Sequence, residues 1–147
     1  MAFNNIVKSL CEDYNVNVSK GKDLYAFLIN NEYKVYIEYS DKDKAFVVYA
    51  AVCDIPNETQ VDIYEDILKA NYFGTDTGKS TLSIDKNTDK IVLFRWFNDV
   101  ETRYSDFVPC FSSFIGHLSH WKEKIENYPK YKEVAVKPPQ RDNIIKP

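Results

Sequence analysis

Apolar positions near the start of the chain recur with the spacing of a helix that buries one face. They follow one another at i, i+3, i+4, i+7, i+8 and i+11, in the set Phe3, Ile6, Val7, Leu10, Cys11 and Tyr14. This pattern predicts a first helix over residues 2–14. The polar residues from 15 to 22, which include Gly21, predict a break after it.

Three strands are predicted to follow in a row. Leu24 to Ile29 is apolar on both strand faces, and Tyr33 to Tyr39 alternates apolar with polar residues. The two asparagines between these segments are typical of a tight turn. A charged turn over residues 41–44 then leads into Ala45 to Cys53, whose near-continuous apolar run predicts a strand buried on both faces and therefore central.

The predicted second helix is apolar on two sides. Asn57 is its candidate N-cap, acidic residues fill its early turns, and it extends to about Tyr72. One apolar stripe combines Val61, Tyr64 and Leu68, and the other combines Ile63, Ile67 and Ala70. A helix with two apolar faces needs two surfaces to pack against. Its own sheet supplies one, and a second copy of this short chain is the simplest source of the other, so the pattern predicts a homodimer.

The remaining pattern predicts a hairpin and a long helix. The strands are Thr81–Asp85 and Ile91–Phe97, and the helix runs from about Glu101 to Ile125 with Pro109 marking a kink or a late start. The expected fold is therefore α+β in the order α-β-β-β-α-β-β-α, a twisted antiparallel sheet flanked by helices. We expect one domain over residues 1–127 and a disordered, proline-rich basic tail over 128–147.

Composition narrows the class of protein. The chain has 147 residues, 44% hydrophobic and 28% charged, which is enough for one domain with its own core. Its longest apolar run, nine residues, falls well short of the roughly 20 that a membrane span needs, and the N-terminus lacks a signal-peptide pattern. Three widely spaced cysteines predict free, mostly buried thiols in a reducing cytosol.

Charge and aromatic content point to a protein partner. Residues 1–128 carry 14 basic and 20 acidic side chains, so a nucleic-acid groove is not expected. Aromatic residues make up 15% of the chain, more than one small core requires, and some of these rings are expected at an interface.

Candidate catalytic and metal motifs are weak. The loop Gly74–Ser80 places three residues between its glycines where a phosphate-binding loop needs four, and it runs from helix into strand instead of strand into helix. His117 and His120 share one helix with Cys110, but four close zinc ligands are not present. No nucleophile motif stands out. The sequence therefore predicts no enzyme, no cofactor and no metal.

Two stretches resemble a known family. Leu68-Lys69-Ala70-Asn71-Tyr72-Phe73-Gly74, followed by Thr77-Gly78 and then Ser80-Thr81-Leu82-Ser83-Ile84-Asp85, resembles the Leu-x-Ala-Asn-x-x-Gly and Leu-Ser-Leu-Asp signature of class I type III secretion chaperones, the Tir-chaperone-like family. The predicted element order agrees with that family, and the resemblance extends over about residues 1–127.

The resemblance implies a homodimer in the bacterial cytoplasm that binds the N-terminal segment of a secreted effector. Such a protein keeps the segment soluble and partly unfolded for export and uses no catalytic residue. By this likeness, the dimer interface is predicted at Val61, Tyr64, Leu68 and Leu82. The effector groove is predicted at Phe3, Val7, Leu10, Val35 and Ile37.

Two other functions remain open at this stage. One is a regulatory protein-interaction dimer with the same fold and no role in secretion. The other is a small-molecule or nucleotide enzyme that uses the Gly74–Ser80 loop. The basic tail is either inert or a contact for cargo or for the export ATPase. Nucleic acid and membrane insertion are not expected.

Overall fold

A computed structural model describes residues 2–14, 21–55 and 60–128. It confirms the α+β class and the predicted element order. The elements in chain order are α1 (Ala2–Tyr14), β1 (Leu24–Ile29), β2 (Tyr33–Ser40), β3 (Ala45–Asp54), α2 (Gln60–Ala70), a 3₁₀ turn (Tyr72–Gly74), β4 (Thr81–Ile84), β5 (Lys90–Asn98) and α3 (Tyr104–Glu126).

The predicted boundaries differ from the observed ones mainly in the helices. α2 gives way to the 3₁₀ turn after Ala70, before the predicted end at Tyr72. α3 begins at Tyr104, three residues after the predicted start, and it continues through Pro109. The predicted N-cap at Asn57 lies outside the described residues, and so do residues 129–147 of the predicted tail. Tyr128, the first residue of that predicted tail, is described and packs in the core at 7% exposure.

The five strands form one antiparallel sheet in the order β1-β2-β3-β5-β4. β3 is its middle strand, paired with β2 on one side and β5 on the other, as its long apolar run predicts. The predicted burial on both faces is wrong, because Val47 and Tyr49 are half-buried and Ala51 is exposed on the face that no helix covers. A register shift between Ala51 and Cys53 marks a bulge near the end of β3. The edges of the sheet are β1 and β4.

One face of the sheet, here called the inner face, packs against all three helices. Val48, Ala50 and Leu93 on this face are fully buried in the same core cluster as residues of α1, α2 and α3. The helical contribution comes from one stripe of each helix: Phe3, Ile6, Val7 and Leu10 of α1, Ile63, Ile67 and Ala70 of α2, and Phe107, Phe111, Phe114, Leu118, Trp121 and Ile125 of α3. The core therefore lies between the inner face and a helical layer.

Carboxylates hold both ends of α1. The backbone N–H of Phe3 donates to Asp99, a buried side chain that follows β5, over 2.8 Å. This bond satisfies a helix-terminal N–H that has no partner within the helix. At the other end, the hydroxyl of Tyr104 donates to Asp13. Both contacts fix α1 to the segment between the end of β5 and the start of α3.

The three cysteines are free thiols, as predicted, although each is half-buried and not fully enclosed. Burial, followed by the negative charge of Asp54, raises the pKa of Cys53 to about 11. This thiol therefore stays protonated at neutral pH and is a poor nucleophile.

Candidate functional site

The signature residue Asn71 joins the end of α2 to strand β4. Its side-chain N–H donates to the carbonyl of Leu82 over 2.8 Å, and its side-chain oxygen accepts from the N–H of Leu82 over 2.9 Å. Since β4 is an edge strand, the Asn71 amide takes the place of a neighbouring strand at this position. The two separate halves of the sequence signature are thus directly bonded to each other.

The loop after α2 has a structural role. Gly74, at φ +66°, leaves no room for a side chain, because a Cβ there would lie 2.7 Å from the backbone of Lys79. A Cβ on Gly78, which has a φ of +58°, would lie 2.6 Å from the ring of His117. The indole N–H of Trp121 donates to the carbonyl of Asp76 over 3.1 Å and ties the loop to α3. Both glycines are accounted for by this packing.

α2 exposes an apolar stripe on the side away from the core. Val61 is 78% exposed and Leu68 is 72% exposed, while Tyr64 is half-buried. The stripe continues into the 3₁₀ turn, where Tyr72 and Phe73 are exposed. The centroids of their rings lie 4.4 Å apart. The prediction of two apolar faces on this helix is thus matched by one packed face and one exposed face.

Phe73 is presented by an unusual backbone conformation. Its φ of +51° is rare for a large side chain and lies in the left-handed region. The side chain is 84% exposed, so the backbone strain is not compensated by burial within this chain. We name Val61, Tyr64, Leu68, Tyr72 and Phe73 the α2 stripe.

Leu82, predicted beside this stripe, lies elsewhere. It is paired with Leu93, and its side chain is buried on the inner face at 2% exposure. It therefore supports β4 from the core and offers no side-chain surface to a partner.

The five residues predicted to line the effector groove come together, but in the core. Phe3, Val7, Leu10, Val35 and Ile37 are each at most 5% exposed. α1 lies over β1 to β3 and covers them, so these side chains do not contact a partner without a rearrangement. Periodic apolar residues mark a core as readily as a groove, and the contact of these five residues with an effector stays a prediction.

The outer face of the sheet carries an aromatic surface that sequence reasoning missed. Tyr36 and Tyr49 stack with ring centroids 5.2 Å apart. Register places Phe94 beside Tyr49 on the same face, while Trp96 is 49% exposed and Leu28 of β1 is 47% exposed. The signal was present in the sequence as aromatic residues at outward positions, but the strand register was needed to place them together.

β1 is an edge strand, and α1 contacts it on the inner face of the sheet. Within the described residues, β1 pairs with β2 alone, so one side of its backbone is unpaired with a strand. The ring of Phe3 in α1 contacts the ring of Tyr25 in β1 at a centroid distance of 5.9 Å. An unpaired strand edge is suited to accept an extended peptide.

The histidines have structural surroundings. His117 Nδ1 lies 2.8 Å from the carbonyl oxygen of Ser113, and the ring of His120 contacts Trp121 edge-on. The described residues contain no group of three potential metal ligands. In the same part of the chain, no helix combines the length and apolarity of a membrane span.

Residues 5–122 of the chain match the Tir chaperone protein (CesT) family. No curated protein matches the sequence significantly. Among solved structures, a chain of the ExsC-ExsE complex superposes with a TM-score of 0.65 at 12% identity, covering 82% of this chain and 90% of that one.

Two further structures are similar in the same way. The Yersinia pestis type III secretion chaperone SycH, solved with a fragment of YscM2, gives a TM-score of 0.61 at 16% identity and covers 81% of this chain and 98% of its own. A chain of the ExoU-SpcU complex from the Pseudomonas aeruginosa type III secretion system gives 0.65 at 8% identity, with coverages of 80% and 95%. At these identities the structures show a common fold.

Proposed function

The chain belongs to the Tir chaperone protein (CesT) family and is a type III secretion chaperone that binds effector proteins; we propose that it acts as a homodimer on the N-terminal segment of a secreted effector. It keeps that segment soluble and partly unfolded for export. It does so in the bacterial cytoplasm and without catalysis.

The α2 stripe carries the proposal of a dimer. From Val61 to Leu68 it extends over about 10 Å of α2 at 1.5 Å per residue, and four of its five side chains are exposed. A continuous exposed apolar surface of this kind marks an interface. In a two-fold dimer the same stripe meets itself, so Val61, Tyr64 and Leu68 of one protomer pack against the equivalent residues of the other. Leu82 supports this interface indirectly, through its bonds to Asn71.

The free edge of β1 supports the proposed site for the effector. An extended effector segment adds to β1 as a further strand, with its side chains pointing alternately to the two faces of the sheet. On the outer face these side chains meet Leu28. On the inner face they approach α1, where Phe3, Val7 and Leu10 form the supporting wall. Val35 and Ile37, on the inner face of β2, pack in the same core cluster.

The proposed mechanism is that of a holder. A disordered effector segment with exposed apolar residues is prone to aggregate, and docking covers those residues while the rest stays unfolded. Coupled ordering of this type buries roughly 1,000–3,000 Å² and gives tight binding after the loss of chain entropy. The export ATPase is a further proposed partner of the loaded complex.

The test compares two edge strands of the same sheet. Leu28→Asp places a charge on the outer face of β1, and Thr81→Asp is the control on β4, where the replaced side chain is exposed on the same face of the sheet. We expect Leu28→Asp to weaken binding of the effector's N-terminal segment by at least about tenfold, equivalent to about 1.4 kcal/mol, and the control to change it by less than about threefold. Equal effects of the two substitutions would place the effector elsewhere. A dimer that retains no secreted protein would favour the regulatory function.

A further inference from the structure

The β1 edge of the sheet leaves its outward backbone groups without partners in the described chain. In an antiparallel pair, every second residue bonds to the neighbouring strand, and the residues between turn their N–H and C=O groups away from it. The N–H of Tyr39 donates to the carbonyl of Asp23 over 2.9 Å, so Asp23 faces β2 and the residues that alternate with it face outward. Those outward residues of β1 are Leu24, Ala26 and Leu28.

The β4 edge differs because a side chain already occupies it. The N–H of Asp85 donates to the carbonyl of Lys90 over 2.8 Å, so Asp85 faces β5. By the same alternation, the residues that face the free edge are Ser80, Leu82 and Ile84. The amide of Asn71 bonds to both outward groups of Leu82, the middle one of the three.

The turn before β4 occupies a second position of the same edge. The N–H of Ser80 donates to the carbonyl of Thr77 over 3.0 Å, and the hydroxyl of Thr77 donates back to the carbonyl of Ser80. Within the described residues, Ile84 is then the one outward residue of this edge whose backbone groups have no partner. An added strand needs bonds to several alternate residues, and a single open residue does not provide them.

The residues that occupy the β4 edge are fixed in place. The backbone N–H of Asn71 donates to the carbonyl of Ile67 over 3.0 Å, so Asn71 still belongs to the hydrogen-bonded end of α2. The guanidinium of Arg95 in β5 donates to the carbonyl of Gly78 over 3.2 Å, and the bond from Trp121 holds the same loop from α3. Opening this edge therefore requires breaking contacts with three elements.

We propose that Asn71, together with the turn Thr77–Ser80, closes the free edge of β4 to incoming extended strands and leaves β1 as the edge at which this sheet accepts one. If both edges were open, β4 of one copy would pair with β1 of the next. Such a head-to-tail contact does not close on itself and grows into open-ended assemblies. The inference requires neither the proposed dimer nor an effector, so its failure would leave the proposed function standing.

The first test is the state of association of Asn71→Ala, which opens Leu82 beside Ile84. Sedimentation velocity of the full chain without effector compares the variant with the wild type over roughly 1–200 μM. At the highest concentration we expect the weight-average mass of the variant to be at least about twice that of the wild type, because opened β4 edges pair with β1 edges. Equal masses at every concentration would overturn the proposal.

Two further variants separate edge pairing from a general loss of stability. Leu118→Ala removes a fully buried side chain of α3 and leaves both sheet edges unchanged, so it should not associate beyond the wild type. Ile84→Pro, added to Asn71→Ala, removes an N–H that faces the free edge and should restore the wild-type mass. Association of Leu118→Ala to the same extent, or association that persists after Ile84→Pro, contradicts the proposal.

Hydrogen exchange at the amide of Leu82, followed by nuclear magnetic resonance, locates the contact. In dilute Asn71→Ala we expect this amide to exchange at least about tenfold faster than in the wild type, because its partner is lost. In the associated variant the same amide should become protected again by an added strand. A Leu82 amide that exchanges equally fast in the dilute and the associated variant would overturn pairing at β4.

Discussion

Replacement of Asn71 tests whether the signature amide holds β4 in place. Asn71→Ala removes two hydrogen bonds to the backbone of Leu82, one donated and one accepted. Each such bond contributes about 0.5–1.5 kcal/mol net, so the free energy of unfolding is expected to fall by about 1–3 kcal/mol. For a chain of this size the midpoint of thermal unfolding falls by roughly 3–9 °C. Chemical denaturation followed by circular dichroism measures the loss directly.

Asn71→Asp sharpens the test because it keeps the shape of the side chain. A carboxylate still accepts from the N–H of Leu82, but it has no hydrogen to give and places negative charge against the carbonyl of Leu82. We expect it to be at least as destabilising as Asn71→Ala. Asn87→Ala in the exposed β4–β5 turn is the control and should cost less than about 0.5 kcal/mol. Wild-type stability of Asn71→Asp would refute the two-bond clamp.

Three further substitutions test the interface, the core and the loop. Leu68→Asp should leave the fold intact, since the side chain is 72% exposed, and shift the protein to monomer in sedimentation velocity; a dimer that persists removes the α2 stripe from the interface. Val7→Asp should lower stability by about 3 kcal/mol or more, because it buries a carboxylate in the core; a stable variant with selectively weakened effector binding would restore Val7 to the groove surface. Gly74→Ala should destabilise the chain by about 1–3 kcal/mol in urea titration, because of its positive φ and the 2.7 Å approach to Lys79, and an unchanged midpoint would contradict that geometry.

Sequence patterns predicted the helices and strands well where an apolar pattern is typical of only one kind of element. The run from Ala45 to Cys53 has no polar face, which is typical of a central strand, and β3 is the middle strand of the sheet. The two stripes of α2 likewise separate into a packed side with Ile63 and an exposed side with Leu68. The apolar run thus predicts the central position of β3, and the two stripes predict that α2 has two apolar sides.

Surface and core were harder to distinguish. Val35 and Ile37 alternate correctly in β2, but only the position of α1 decides that their face is enclosed. The exposure of Phe73 depends on a positive backbone φ angle, which no sequence pattern predicts for this residue. The aromatic residues of the outer face, such as Tyr36 and Tyr49, become one surface only through the strand register. These features depend on contacts between elements far apart in the sequence.

The hydrogen bonds of Asn71 explain why the signature combines two separate segments of the chain. Ala70 is 2% exposed at the end of α2, Asn71 bonds to Leu82, and Gly74 admits the backbone of Lys79. The signature therefore fixes the end of α2 against an edge strand. This arrangement also orients the α2 stripe, which links the residues of the signature to the proposed dimer.

The most direct measurement of the central claim is the mass and composition of the complex purified with its effector. Light scattering coupled to size exclusion, with mass spectrometry of the bound polypeptide, determines both. We predict a chaperone core of about 34 kDa, two copies of the 17.2 kDa chain, carrying one effector through its N-terminal segment. A single copy of the chain in the complex, or an effector still retained after its N-terminal segment is deleted, would contradict the account.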